Sequence, residues 1–146
     1  MSCHENSIGF EIKTISNLLK RKFDEEMAKN SMGKITGVQG WLITYLYDNR
    51  EKPIFQRDIE KRFNIRRSTV TGLIQLMEKN GLLVRTSMPG DARLKRLVLT
   101  EQGIAYHEAA KKHIHAIQRQ LEQAFTPEEY AQMLELLRRT RNILSE

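Results

Sequence analysis

Apolar residues recur at alternating threes and fours from Ile8 through Ile12, Ile15, Leu19 and Phe23, a spacing that predicts an amphipathic helix over residues 8–29. The stretch "NSMGK" ends it. Thr36 with Gln39 reads as a capping box, and Val38, Trp41, Leu42, Tyr45 and Leu46 form a second helical stripe. The polar run "DNREKP" closes on proline and reads as a loop. In "FQRDIEKRF" the pair Ile59 and Phe63 marks a short helix, broken at "NIRR", where Asn64 suits a turn. Ser68 and Thr69 then stand where hydroxyls cap a helix start. Val70, Leu73, Ile74 and Met77 follow at i, i+3, i+4 and i+7, and Asn80-Gly81 supplies the stop. Two helices joined by a short turn, the second basic and polar on its outer side, predict a helix-turn-helix.

The period then changes. "LLVRTS" (82–87) and "RLVLT" (96–100) read as strands, and "MPGDARLK" between them contains a Pro-Gly-Asp turn. A helix-turn-helix followed by a basic hairpin is a winged helix. Beyond it, Thr100 caps a helix with Glu101 in its first turn, and Ala110, Ile114, Ile117, Leu121 and Ala124 carry its stripe. "FTPEEY" restarts the pattern, with Thr126 as cap, Pro127 at the first helical position and Glu129 closing a capping box. Tyr130, Met133, Leu134, Leu137 and Leu144 form the final stripe. The expected fold is mainly α with a small β-hairpin wing. The surplus apolar surface at the two ends of the chain predicts that those ends pair with a second copy.

Charge sharpens this picture. The 146 residues carry a formal +6, from 24 basic and 18 acidic side chains. Residues 56–96 hold ten Lys/Arg and four Asp/Glu, which leaves fourteen of each sign elsewhere, so the whole excess sits in the middle of the chain. That is the footprint of a polyanion-binding face. No apolar run nears the ~18 residues of a membrane span. The first ten residues lack a basic stretch followed by a long apolar one, so a secretory signal is not expected. A single cysteine excludes an internal disulfide framework and fits a reducing, cytoplasmic setting.

The predicted second helix of the pair, "RRSTVTGLIQLMEKNG" (66–81), carries the candidate chemistry. Arg66, Arg67, Ser68 and Thr69 crowd its start, where free N–H groups favour a phosphate. Thr71 and Gln75 lie further along the outward face, where glutamine suits adenine and threonine suits a hydrogen bond or a thymine methyl. In the predicted wing, Asp91, Arg93, Lys95 and Arg96 add a basic loop. No glycine-rich phosphate loop and no nucleophile–base motif with usable spacing appears, so an enzyme is not expected. A winged helix used for protein interaction is the alternative, and the basic excess opposes it.

The stretches "STVTGLIQLMEKNGLLVR" and "GDARLKRLVLTEQG" resemble the recognition helix and wing signature of the MarR family of bacterial transcriptional regulators, with "IFQRDIEKRF" as the helix before. Gly72 departs from the pattern, since many relatives carry a long polar or basic residue there. The resemblance implies a homodimer on palindromic double-stranded DNA. Residues 1–35 and 101–146 would supply dimerisation helices and 36–100 the winged helix-turn-helix. The implied DNA-contacting set is Gln56, Arg57, Arg66, Arg67, Ser68, Thr69, Thr71, Gln75, Asp91, Arg93, Lys95 and Arg96. Asp91 would hold Arg93 for the minor groove, and half-sites would lie on the order of 10 base pairs apart. A repressor without a cofactor, released by a small aromatic or lipophilic effector, is the implied activity.

Three further residues leave alternatives open. Trp41 and Tyr45, four apart, read either as the wall of an effector pocket or as core packing. Cys3, beside His4, reads as a redox-sensing thiol or as an incidental exposed cysteine. His113 and His115 diverge by about 200° on a helix and cannot share a metal, so no metal site is expected.

Overall fold

A computed structural model of the chain describes residues 5–29 and 37–146. Cys3, His4, the "NSMGK" stretch and the Thr36 half of the expected capping box lie outside the described residues. Along the chain run α1 (Ile8–Ala28), α2 (Gly37–Asp48), α3 (Gln56–Phe63), α4 (Arg67–Lys79), β1 (Leu83–Met88), β2 (Asp91–Leu99), α5 (Glu101–Gln123) and α6 (Pro127–Leu144). The strands form an antiparallel hairpin in which Leu83 faces Leu99 and Ser87 faces Lys95. Its turn is confined to Pro89-Gly90, so β2 begins five residues earlier than the β-branched run suggested. The basic residues Arg93 and Lys95 are strand residues rather than loop residues.

One core joins the elements. Ile59 from α3, Val70, Ile74 and Met77 from α4, Leu42, Ile43 and Leu46 from α2, Leu83 and Leu97 from the hairpin and Tyr106 from α5 are all buried. The predicted faces of α3 and α4 are the observed ones. In α2 the buried face is rotated: Gln39, Gly40, Leu42, Ile43 and Leu46 point inward, while Val38 and Trp41 are exposed. This helix is apolar nearly all round, so periodicity did not fix its orientation. The α3–α4 turn passes through Asn64 at φ 51°, a left-handed conformation that asparagine tolerates.

The base of the wing is fixed by a compact set of bonds. Gly81 takes φ 74° to end α4. The Thr100 hydroxyl donates to the Gly81 carbonyl at 2.5 Å and accepts from the Gly103 N–H at 3.1 Å, so one residue caps α5 and ties it to the end of α4. A Cβ at Gly103 would fall 2.2 Å from the Leu82 carbonyl oxygen, which leaves room for glycine alone. The Leu97 N–H donates to the Ile54 carbonyl at 2.8 Å, seating β2 against the segment that enters α3.

The two ends of the chain are different. On α1, Phe23 and Met27 are buried, but Ile8, Phe10, Ile12, Ile15, Leu18 and Leu19 are exposed. On α5, burial is concentrated in the first half, at Gly103, Tyr106, His107 and Ala110. In α6 no residue is buried, although Thr126 and Glu129 close the expected capping box. Met133, Leu136, Leu137, Ile143 and Leu144 lie open. Exposed apolar surface is thus concentrated on α1 and α6.

Candidate nucleic-acid interface

The start of α4 presents Arg66, Arg67, Ser68 and Thr69, all exposed. The hydroxyls do not cap the helix as expected. The N-cap is Arg66, which makes no side-chain cap bond, and Ser68 and Thr69 lie inside the first turn. The leading N–H groups of α4 are therefore not occupied by a side-chain cap, a state that favours an anion at this end.

Thr71 departs from the expected outward position. It is half-buried, and its hydroxyl donates to the Arg67 carbonyl at 2.9 Å and accepts from Gln56 Nε2 at 2.7 Å. Gln56 also reaches the Arg67 carbonyl at 3.4 Å. Gln56 and Thr71 thus form a clamp between the first turn of α3 and the first turns of α4, which sets the angle of the exposed helix. Arg57, next to Gln56, is exposed and its guanidinium lies 5.2 Å from the Phe55 ring centre. The Asp58 carboxylate accepts from the Phe55 N–H at 2.8 Å, satisfying one of the free donors at the start of α3.

The outer face of α4, opposite Val70, Ile74 and Met77, runs through Ser68, Gly72, Gln75, Leu76 and Lys79, each exposed. It holds no carboxylate. Glu78, toward the side of the helix, is engaged by Arg85 at 3.1 and 3.3 Å, and that hydrogen bond draws its carboxyl below the usual glutamate range. Two residues of the basic segment therefore cancel one another. Leu76 escaped the sequence reading because an apolar residue one step off the core stripe looks like part of it.

In the wing, the Asp91 carboxylate accepts from the main-chain N–H of Arg93 at 3.0 Å. Asp91 thus holds Arg93 by its backbone, and no ion pair joins the two side chains among the described residues. An Asx-type turn of this kind forms because a short carboxylate reaches an amide two residues on more readily than a long guanidinium. Lys95 donates to the Ser87 hydroxyl at 2.7 Å across the hairpin, and remains exposed. Arg96 points differently. It is half-buried, its guanidinium donates to the Arg50 carbonyl at 3.4 Å, and with Arg50 and Lys52 it edges a small pocket of about 120 Å³ floored by Leu46, Ile54 and Leu99.

Trp41 and Tyr45 do not share an environment. Tyr45 packs edge-on against Phe63 with ring centres 5.7 Å apart, whereas Trp41 is 58% exposed. His113 Nδ1 lies 3.3 Å from Glu26 on α1 and His115 is exposed on another side of α5. The Glu26 carboxyl is drawn below its ordinary range, chiefly by the hydrogen bond from Lys29. Periodicity did not flag His107, which is buried and stacked on Tyr47 at 4.0 Å between ring centres, with its Nδ1 making no hydrogen bond among the described residues. Its imidazole is pushed below the ordinary range, first by burial. No helix of the described residues is long and apolar enough to cross a membrane.

A clamped, acid-poor helix beside a basic two-stranded wing defines the winged-helix class of transcription regulators. The comparisons agree. The MarR family profile matches residues 34–94. The transcription regulator MarR from Oenococcus oeni PSU-1 is 32% identical, with 93% of this chain and 99% of that one aligned at a TM-score of 0.78. MepR of Staphylococcus aureus in a DNA complex is 28% identical, with 96% and 99% aligned at 0.85. The homoprotocatechuate degradative operon repressor of Escherichia coli is 35% identical over 80 residues, 55% of this chain and 54% of that one. The chain belongs to the MarR family. It spans little more than half the length of the curated relatives it matches.

Proposed function

We propose that the protein is a sequence-specific DNA-binding repressor that acts as a homodimer. One observation carries the reading: Arg57, Arg66, Arg67, Arg93 and Lys95, from α3, the start of α4 and the wing, are all exposed, and the outer face of α4 holds no acid. A duplex supplies the missing negative charge. In this reading α4 enters the major groove, Ser68, Thr69 and Gln75 meet phosphates and base edges, and Arg57, Arg66 and Arg67 hold the backbone. Gln56 and Thr71 act by fixing the angle of α4. Arg93 and Lys95 reach the flanking groove from β2, and Asp91 shapes the backbone that presents them.

The dimer is supported by the open apolar faces of α1 and α6, and by α5 where Leu121 is exposed. In this reading α1, α5 and α6 are the paired helices, and α2 through β2 the DNA-binding unit. Repression is supported by the name of the E. coli relative. A small aromatic or lipophilic effector would act from the α2 side, where Trp41 is exposed next to Val38. Trp41 is the one tryptophan of the chain, so its fluorescence reports directly on an aromatic ligand there.

Selection of bound duplexes from a random pool tests the reading. It predicts an enriched inverted repeat with half-sites about 10 base pairs apart. Recovery of no common sequence, or of a single unpaired half-site, contradicts it.

A further inference from the structure

Gly72 occupies the centre of the outer face of α4, one turn beyond Ser68 and one turn before Leu76. A Cβ built there meets nothing within 4 Å, so the fold does not require a glycine. Glycine in a helix interior is nonetheless unfavourable, by up to about fivefold in the folding equilibrium relative to alanine. Beside it, Leu76 is 44% exposed. Bare backbone followed by an uncovered leucine forms an apolar notch in a face that is otherwise hydroxyl, amide and cationic. The charge around the notch suits a polyanion, and the apolar feature that a duplex offers in its major groove is the C5-methyl of thymine.

We propose that Gly72 and Leu76 determine specificity by admitting a thymine methyl, Gly72 allowing close approach of the groove floor and Leu76 supplying the contact. This rests on the DNA-binding reading above and assigns the base chemistry to residues outside the hydroxyl and glutamine set. The Thr71 hydroxyl, occupied as donor and acceptor, is not the group that discriminates.

The test replaces each thymine of a selected duplex in turn by deoxyuridine, which removes the methyl and keeps the pairing. Affinity is expected to fall about fourfold at one position in each half-site, the effect of uncovering one methyl-sized group. Leu76→Ala should bind more weakly and be indifferent to the same replacement, while Leu76→Met keeps the sensitivity. Gly72→Ala should raise the melting temperature of the free protein and weaken duplex binding at least fivefold. A flat deoxyuridine scan, or Gly72→Ala binding as tightly as the parent, overturns the proposal while leaving DNA binding intact. So does a Leu76→Ala variant that changes self-association instead of methyl sensitivity. A parent protein that retains no duplex at low salt overturns the DNA-binding reading, and this one with it.

Discussion

Arg93 has its backbone fastened to Asp91, yet its guanidinium makes no hydrogen bond among the described residues. The anchored backbone presents a free cation, and a narrow, electronegative groove attracts it strongly enough to offset the side-chain order lost on binding. Arg93→Ala should therefore weaken duplex binding by about tenfold or more without altering the circular dichroism of the free protein; an unchanged gel-shift affinity would refute the role. His107 makes a separate prediction. Burial lowers its folded pKa most; Glu108 and Asp48 oppose this, and Lys111 and Arg50 add to it. The unfolded chain then binds a proton more readily than the fold. The His107 contribution is present above the unfolded pKa of about 6.5 and is lost as pH falls through that value toward the lower folded one. The melting temperature should drop between about pH 7.5 and pH 5.5, and His107→Phe, which keeps a ring on Tyr47, should reduce the drop; an equal drop in both proteins counts against this. No spacing rule pointed to His107, because a histidine on a helical stripe reads the same whether buried or wet.

At the scale of elements, what the sequence made legible were faces with strong contrast. The stripes of α3 and α4 were readable because each has a mostly polar opposite side, and the Thr100 and Thr126 caps because serine- and threonine-type caps have a local mechanism. The orientation of α2 was not readable, since a helix apolar all round gives periodicity nothing to resolve. The extent of β2 was missed because Asp91, Arg93 and Lys95 do not resemble strand residues; pairing of Lys95 with Ser87 and of Asp91 with Met88 extends the strand despite poor propensity, with Arg93 in the irregular step between them. Gly103 was visible as part of a motif, but its reason needed coordinates. The Leu82 carbonyl passes where a side chain would stand. Gly103→Ala should accordingly cost about 1–3 kcal/mol of stability, the range for forced overpacking, and thermal melts would expose a tolerant site. Thr126→Ala should cost about 1 kcal/mol through the lost cap of α6; a change well below that would mean the helix is held by its partner surface alone.

At the scale of the whole molecule, two features lie on one chain without a counterpart in it: open apolar helices at both ends and a cationic helix and wing in the middle. The first was legible as surplus apolar stripes, and α6, which buries none of its residues in a single subunit, gives it physical weight. The second was legible as a charge excess, though the structure redistributes it. Arg85 is neutralised by Glu78 and Arg96 turns toward the Arg50 carbonyl, which leaves fewer free cations than the count promised. Sedimentation should find a dimer at micromolar concentration, and polar substitution of Leu136 and Leu137 together should shift it to monomer and abolish tight duplex binding. The central claim is that the remaining exposed cations lie against phosphates. The measurement that reaches it most directly is duplex affinity by fluorescence anisotropy as salt rises from about 50 to 200 mM. Each neutralised phosphate contributes about 0.9 to the slope of log affinity against log salt. A slope steeper than about −4, made shallower when Lys95 and Arg67 are replaced by alanine, is the predicted result. A slope near zero, or one that those substitutions leave untouched, would contradict the account.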